Sequence, residues 1–404
     1  MTTDDVLLAR AYLSRVGEPA SIGLWRFVET VGPVQAMRDL RAGRASGPVL
    51  AETAARRENA DPHADLAAAE RHGVRLLVPE GDEWPHFAMA CLERAVRPRA
   101  AAHAAGRFTR SESGEPVPPL ALWARGALDP STLGVRSVGI VGSRAATSYG
   151  EHVTADLAYG LARHGVGIVS GGAFGIDAAA HRAALAAEGV TVLISAGGLD
   201  RPYPPGNAGL FERVAGSGLL LSESPPGCAP QRRRFLTRNR LIAALSSGVV
   251  VVEAAARSGA MNTARHCSSL GRTLMAVPGP VTSAMSVGTH QLLGRDEGRA
   301  ALVTSVDDVL ALVGSMGEGL GTAGAPVADV RCELDLLDPP ARAVFDGLQA
   351  RRFAAMDEIA VRSGVSVLEV IRALPALDAA RLIERSDAGI RIAARLREKK
   401  AGRG

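Results

Sequence analysis

The sequence predicts an α/β protein. A mostly parallel sheet forms its middle, short helices precede it, and three helices with a small hairpin follow. Three observations carry this. From about residue 135 to 315, continuous apolar runs alternate with Ala-rich helical stretches. Such runs mark strands buried on both faces, and the alternation marks crossover helices. With 404 residues the chain exceeds one ordinary core, so two or three domains are expected.

Residues 1–70 read as a small helical domain. Val6, Leu7, Ala9, Ala11, Tyr12 and Leu13 begin one helix, and Leu24, Phe27, Val28 and Val31 recur at helical spacing in another. Gly17, Gly32-Pro33 and Gly43 punctuate them. A packing or interaction module without chemistry is expected there. The second domain runs from 71 to 315, with its core at 135–315. Residues 74–78 and 120–124 read as strands, and 97–118, rich in Pro, Gly, Ser and Glu, as an inserted mobile loop. Core strands are expected at 137–141, 166–170, 191–195, 218–222, 248–252 and 272–277, with helices such as 153–164 and 177–187 between them. Residues 316–330 form a Gly-rich linker. In 331–396, helices at 341–348, 356–362 and 367–377 precede strands at 382–384 and 389–392, the outline of a winged helix.

Composition narrows the function. Net charge is +4, a weak field over this length, and aromatics are only 4%. Wholesale base stacking is therefore not expected, although one platform is enough for one base. Lysine occurs only at Lys399 and Lys400, so phosphate contacts fall to arginine forks. The basic tail from 395 to 403 is either a contact for a polyanion or unstructured. Cys91, Cys228, Cys267 and Cys332 form no CxxC pair or metal spacing, which points to reduced thiols, a cytoplasmic location and no bound metal. The acidic start, Met1 to Asp5, has no signal-peptide pattern, and no apolar run reaches membrane-spanning length.

Five motifs lie where strands end, which is where ligands gather in such sheets. The first is Gly142-Ser143-Arg144, leading to Thr147, Tyr149 and Gly150. Its turn amides and helix dipole suit an anion, and Arg144 adds a cation. It lacks the GxGxxG spacing of a dinucleotide site. A plain tight turn with Arg144 in solvent is the competing reading. The second is Ser170-Gly171-Gly172-Ala173-Phe174-Gly175-Ile176-Asp177, with His181 four residues on. Its glycines permit positive φ and close backbone approach. Asp177 and His181 are expected to pair structurally and fix the loop.

The third, 197–207, is Pro-rich, with Tyr203 and Asn207 expected to brace neighbouring loops and Arg201 to reach phosphate or water. The fourth carries Arg232, Arg233, Arg234, Phe235, Arg238, Asn239 and Arg240. Between Ser224 and Val252 there are five arginines and no Asp or Glu, a block that calls for a polyanion or open water. Phe235 offers a flat surface to a base. The fifth runs from Glu253 through Ser258, Gly259 and Thr263, whose hydroxyls and amides suit an anion. His266-Cys267 has no third ligand, so a metal is not expected.

These motifs, in this order and with the Ala276-Val277-Pro278-Gly279 loop, resemble the DprA/Smf family of DNA-processing proteins over about 136–310. The resemblance implies an extended Rossmann-like core and a non-enzymatic, cytosolic, homodimeric protein that binds single-stranded DNA without a cofactor. It implies protection of incoming strands in natural transformation and help in loading the recombinase RecA. By motif, the DNA groove uses Gly142, Ser143, Arg144, Ser170, Gly171, Gly172, Phe174, Arg232, Arg234, Phe235, Arg238, Asn239, Arg240, Ser258, Gly259 and Thr263. The chain departs from the family at Phe174, where many relatives carry arginine, and at Phe235-Leu236, where they carry Phe-Pro. The lost phosphate contact moves to 232–234, or Phe174 stacks a base instead.

Two alternatives stay open. A nucleotide phosphoribohydrolase of Rossmann-like fold would use Glu253, although its PGGxGT loop is missing. A winged-helix regulator would read duplex DNA through 367–377, where Arg372 is the only basic residue, so protein contact suits that helix better.

Overall fold

The computed structural model describes residues 2–105, 114–295, 300–314, 337–350, 352–386 and 388–394. The chain divides into two compact units, Met1–Gly319 and Leu320–Gly404.

The first unit opens with helices α1 (Thr3–Val16), α2 (Ile22–Val31), α3 (Pro33–Arg41), α4 (Gly47–Arg57) and α5 (Pro62–Arg71). Strand β1 (Arg75–Leu77), helix α6 (His86–Ala104) and strand β2 (Leu122–Arg125) follow. The alternating region then supplies β3 (Ser137–Val141), α7 (Ser148–Arg163), β4 (Gly167–Ser170), α8 (Ile176–Ala186), β5 (Thr191–Ser195) and α9 (Ala208–Ser217). It continues with β6 (Leu219–Ser222), α10 (Arg232–Ala244), β7 (Gly248–Val251), α11 (Gly259–Ser269) and β8 (Thr273–Ala276). The short helix α12 (Val287–His290), strand β9 (Ala301–Leu302) and helix α13 (Val306–Val313) complete the unit.

All nine strands form one sheet in the order β1-β2-β6-β5-β4-β3-β7-β8-β9. Strands β3 to β9 pair in parallel, while β1–β2 and β2–β6 are antiparallel. The apolar runs mark strands because both faces are covered. On one face Val249 and Val251 pack with Leu241, Ile242 and Met261; on the other Ile140 and Val250 pack with Leu157, Leu161 and Ile176.

One expectation changes here. Residues 97–104 are not a loop but the end of α6, which continues through Pro98. Its apolar side, with Ala88, Met89 and Leu92, closes onto the sheet core, and this burial outweighs the ring's lost hydrogen bond. Of the rest of that expected loop, 114–118 carry no regular element and 106–113 lie outside the described residues.

The second unit holds α14 (Pro339–Asp346), α15 (Met356–Ser363), α16 (Val367–Ala379) and the antiparallel hairpin β10 (Ile383–Ser386) and β11 (Gly389–Ile392). Asp338 and Ser366 cap α14 and α16, and Gly364 ends α15 at φ +69°. Val344, Ile359, Val370, Leu377 and Ile390 fill its separate core. The expected linker (beyond Gly314), Cys332 and the basic tail lie outside the described residues.

Candidate nucleic-acid interface

The chain lays down β3, β4, β5 and β6 in one direction, then crosses to place β7 on the other side of β3. Ligands of such sheets sit beyond the strand ends at this reversal. Here protein fills it. The Ala254 amide donates to Met285 O (2.6 Å), and the Gly288 amide donates to Ala254 O (2.7 Å). The Ser143 hydroxyl meets Met285 Sδ at 3.2 Å. Glu253 is 1% exposed; it accepts from the Thr147 amide (2.9 Å) and the Thr147 hydroxyl (2.6 Å). A carboxylate of the protein thus occupies the N-terminal end of α7, where a bound anion was expected. Gly142 and Gly150 permit this packing. A Cβ on Gly142 would lie 2.5 Å from Ile176, and one on Gly150 would lie 2.3 Å from the Glu253 carboxylate.

The open part of the edge lies over the ends of β3, β4 and β5 and the start of α10. The loops after β3 and β4 interlock: Ile176 N donates to Ser143 O (3.1 Å), and Gly175, at φ +72°, sits against the carbonyls of Ser143 and Arg144. Asn207 Nδ2 donates to Gly172 O (3.0 Å), which is the bracing role expected of it. The expected Asp177–His181 pair does not form. His181 Nδ1 meets the Thr191 hydroxyl at 2.7 Å, and burial lowers its pKa to about 3. Asp177 instead accepts from Ala173 N and faces Arg238; burial raises its pKa, and Arg238 opposes that.

The arginine segment is mostly structural. Arg240 is 0% exposed and donates to both oxygens of Glu223 (2.6 Å each), to Val117 O and to Thr237 O. Arg234 is buried against Glu18 (2.9 Å) and Ala229 O. Arg238 donates to Gly171 O (2.8 Å), Ile194 O and the Asn239 side chain. Burial lowers its pKa to about 10, partly offset by Asp177, so it stays protonated at neutral pH. Asn239 is tied to Gly259 O and Asn262. These four side chains were expected to face DNA as free groups. They do not, because each is spent on buried backbone or carboxylate partners. Ser170, bonded to Ile140 O, and Thr263, turned to Gly259 O, are likewise buried.

Sequence reasoning missed the two balancing acids. Glu223 lies one residue outside the acid-free window, and widening the window would have found it. Glu18 lies 216 positions from Arg234 and left no local signal.

What stays accessible is a smaller set. Arg144, Arg232, Arg233 and Arg257 are exposed. Arg144 acts on Asp177 only through the field, and Arg233 lines a pocket with Glu18, Glu52 and Glu115. Ser258 is half-buried and Gly259 exposed at the start of α11. The Arg144 guanidinium stands over the Phe235 ring at 5.4 Å, and Tyr203 packs against the same ring at 5.4 Å. Phe235 is half-buried, with these two side chains against its ring. Phe174 is 48% exposed and Tyr203 45%. Among the described residues there is no group of three side chains fit to hold a metal. No described helix is long and apolar enough to cross a membrane.

Comparison with known proteins places the chain in a family. Residues 105–314 match the family model described as DNA recombination-mediator protein A. A protein of Mycobacterium tuberculosis (strain H37Rv) that carries the DprA name is 46% identical over 96% of this chain and 95% of its own. The Streptococcus pneumoniae DNA processing protein A structure matches at a TM-score of 0.59 and 29% identity, over 77% of this chain and 98% of that one. The Helicobacter pylori DNA processing protein A, described for its single-stranded DNA binding mode, is 34% identical over 48% of this chain and 86% of its own, at a TM-score of 0.44. The chain belongs to the DprA/Smf family of DNA-processing proteins.

Proposed function

We propose that the edge formed by the loops after β3, β4 and β5 and the start of α10 binds single-stranded DNA and performs no chemistry on it. In the cytoplasm the protein, as a homodimer, would shield single strands and help pass them to RecA. The observation that carries the DNA reading is the division among the arginines. The buried ones are matched to Glu18, Glu223 and backbone oxygens, while Arg144, Arg232, Arg233 and Arg257 remain exposed. Exposed guanidiniums, with Arg144 standing over an aromatic ring, suit a flexible polyanion with accessible bases. Family membership supports the same reading.

The hydrolase alternative fits less well. Glu253, its candidate catalytic carboxylate, is buried and held by Thr147. The duplex-reading alternative gains little from α16, where Leu368 (55%) and Ile371 (47%) are exposed beside the lone Arg372.

The test is fluorescence anisotropy with oligothymidylate, with duplex as competitor. Four phosphate contacts predict a slope of log K against log salt of about −2.8, or about fiftyfold weakening from 50 to 200 mM. Arg144→Ala should weaken binding about tenfold and reduce the slope by about 0.7. Equal affinity for duplex, or an Arg144→Ala protein that binds like the wild type, would overturn the reading.

A further inference from the structure

We propose that Phe174 is the stacking platform for an unpaired base, so that it, rather than Phe235, makes this edge select strands with accessible bases. The inference rests on the reading of the edge as a single-strand site. Phe235 is half-buried, and its ring is already engaged: the Arg144 guanidinium stands over it and Tyr203 packs against it. Phe174 is almost half exposed, although it sits in the middle of a glycine loop that the rest of the structure holds tightly.

Its ring does not hang free. A Cβ on Gly206 would lie 3.0 Å from the ring Cζ and 3.2 Å from Cε1, so the tip of the ring rests on backbone that only glycine leaves open. Residue 207 ties the same stretch to Gly172 O, two residues before the phenylalanine. On the other side Gly175 is locked against the Arg144 carbonyl, so Phe174 and the exposed Arg144 stand on interlocked loops of the same edge. The loop after β4 and the 3-10 turn Pro205–Asn207 therefore hold the ring in place before any ligand arrives. A prepositioned aromatic surface loses little freedom on binding. Stacking tolerates any base but needs one that is out of a duplex, so it confers strand selectivity without sequence selectivity.

The experiment compares oligothymidylate with an abasic deoxyribose-phosphate oligomer of equal length and charge, using the full chain. Wild-type protein should prefer the base-bearing strand by about tenfold, within the range of one base–aromatic stack. Phe174→Ala should bring the two affinities within about twofold of each other. Phe174→Trp should restore the preference, and its added emission should be quenched by oligothymidylate but not by the abasic strand. If Phe174→Ala keeps the full preference, or the Phe174→Trp emission does not respond, stacking at this residue is refuted while the edge remains a phosphate site. If wild-type protein binds neither oligomer, the reading of the edge itself fails and the proposal falls with it.

Discussion

Replacing Arg240 with alanine separates scaffold from interface. The side chain is fully buried and donates twice to Glu223 at 2.6 Å, and also to Val117 O at 2.8 Å and Thr237 O at 3.1 Å. Its removal leaves the Glu223 carboxylate, 9% exposed, without its partner. Breaking one side of a buried pair costs about 3–5 kcal/mol. An unfolding entropy of about 2.1 cal/mol/K per residue gives roughly 0.7 kcal/mol/K for a unit the size of Met1–Gly319. The expected fall in Tm is therefore about 4–7 °C, read by scanning calorimetry. A double replacement by methionine at 223 and 240 should recover much of it, since the lone charge is then gone. Below the transition, Arg240→Ala should bind oligothymidylate more nearly like the wild type than Arg144→Ala does. A variant with wild-type Tm and the affinity loss of Arg144→Ala would show that Arg240 reaches phosphate and that the assignment of scaffold and interface is wrong.

Two further outcomes follow from buried groups. His181 has its folded-state pKa lowered from 6.5 to about 3, first by burial and then by Arg238 and Arg182. A depressed pKa means a contribution that is full above about pH 6.5 and is lost as pH falls towards 3, at up to about 1.4 kcal/mol per pH unit. In urea titrations from pH 7 to 4, His181→Gln should flatten that dependence; an unchanged slope would contradict it. Gly150→Ala places a Cβ 2.3 Å from the Glu253 carboxylate and should displace it from Thr147. The cost should be about 2 kcal/mol, with faster hydrogen exchange at the Thr147 amide; unaltered exchange would deny the brace.

The sheet was legible because strands such as Gly248–Val251 are buried on both faces and so carry unbroken apolar runs. The two-residue strand β9 was not, since a pairing so short leaves no periodicity. Helix α6 was hidden by Pro98, whose local effect is offset by burial against residues distant in sequence. The glycines of the loop after β4 were read as permitting positive φ, which Gly172 and Gly175 adopt, and Asn207 was read as a brace. The arginines were misjudged for one reason. Local charge density was taken as free charge, whereas Arg234 and Arg240 find Glu18 and Glu223 only once the chain folds. The contact of Arg144 and Tyr203 with Phe235 is likewise a meeting of two separate loops with the start of α10.

The most direct measurement is photocrosslinking of a single strand carrying 5-iodouracil, followed by peptide mass spectrometry. Adducts should fall on Phe174 or Tyr203, the half-exposed aromatics of the sheet edge. Adducts confined to the second unit or to α1–α5 would place the strand elsewhere and contradict the account.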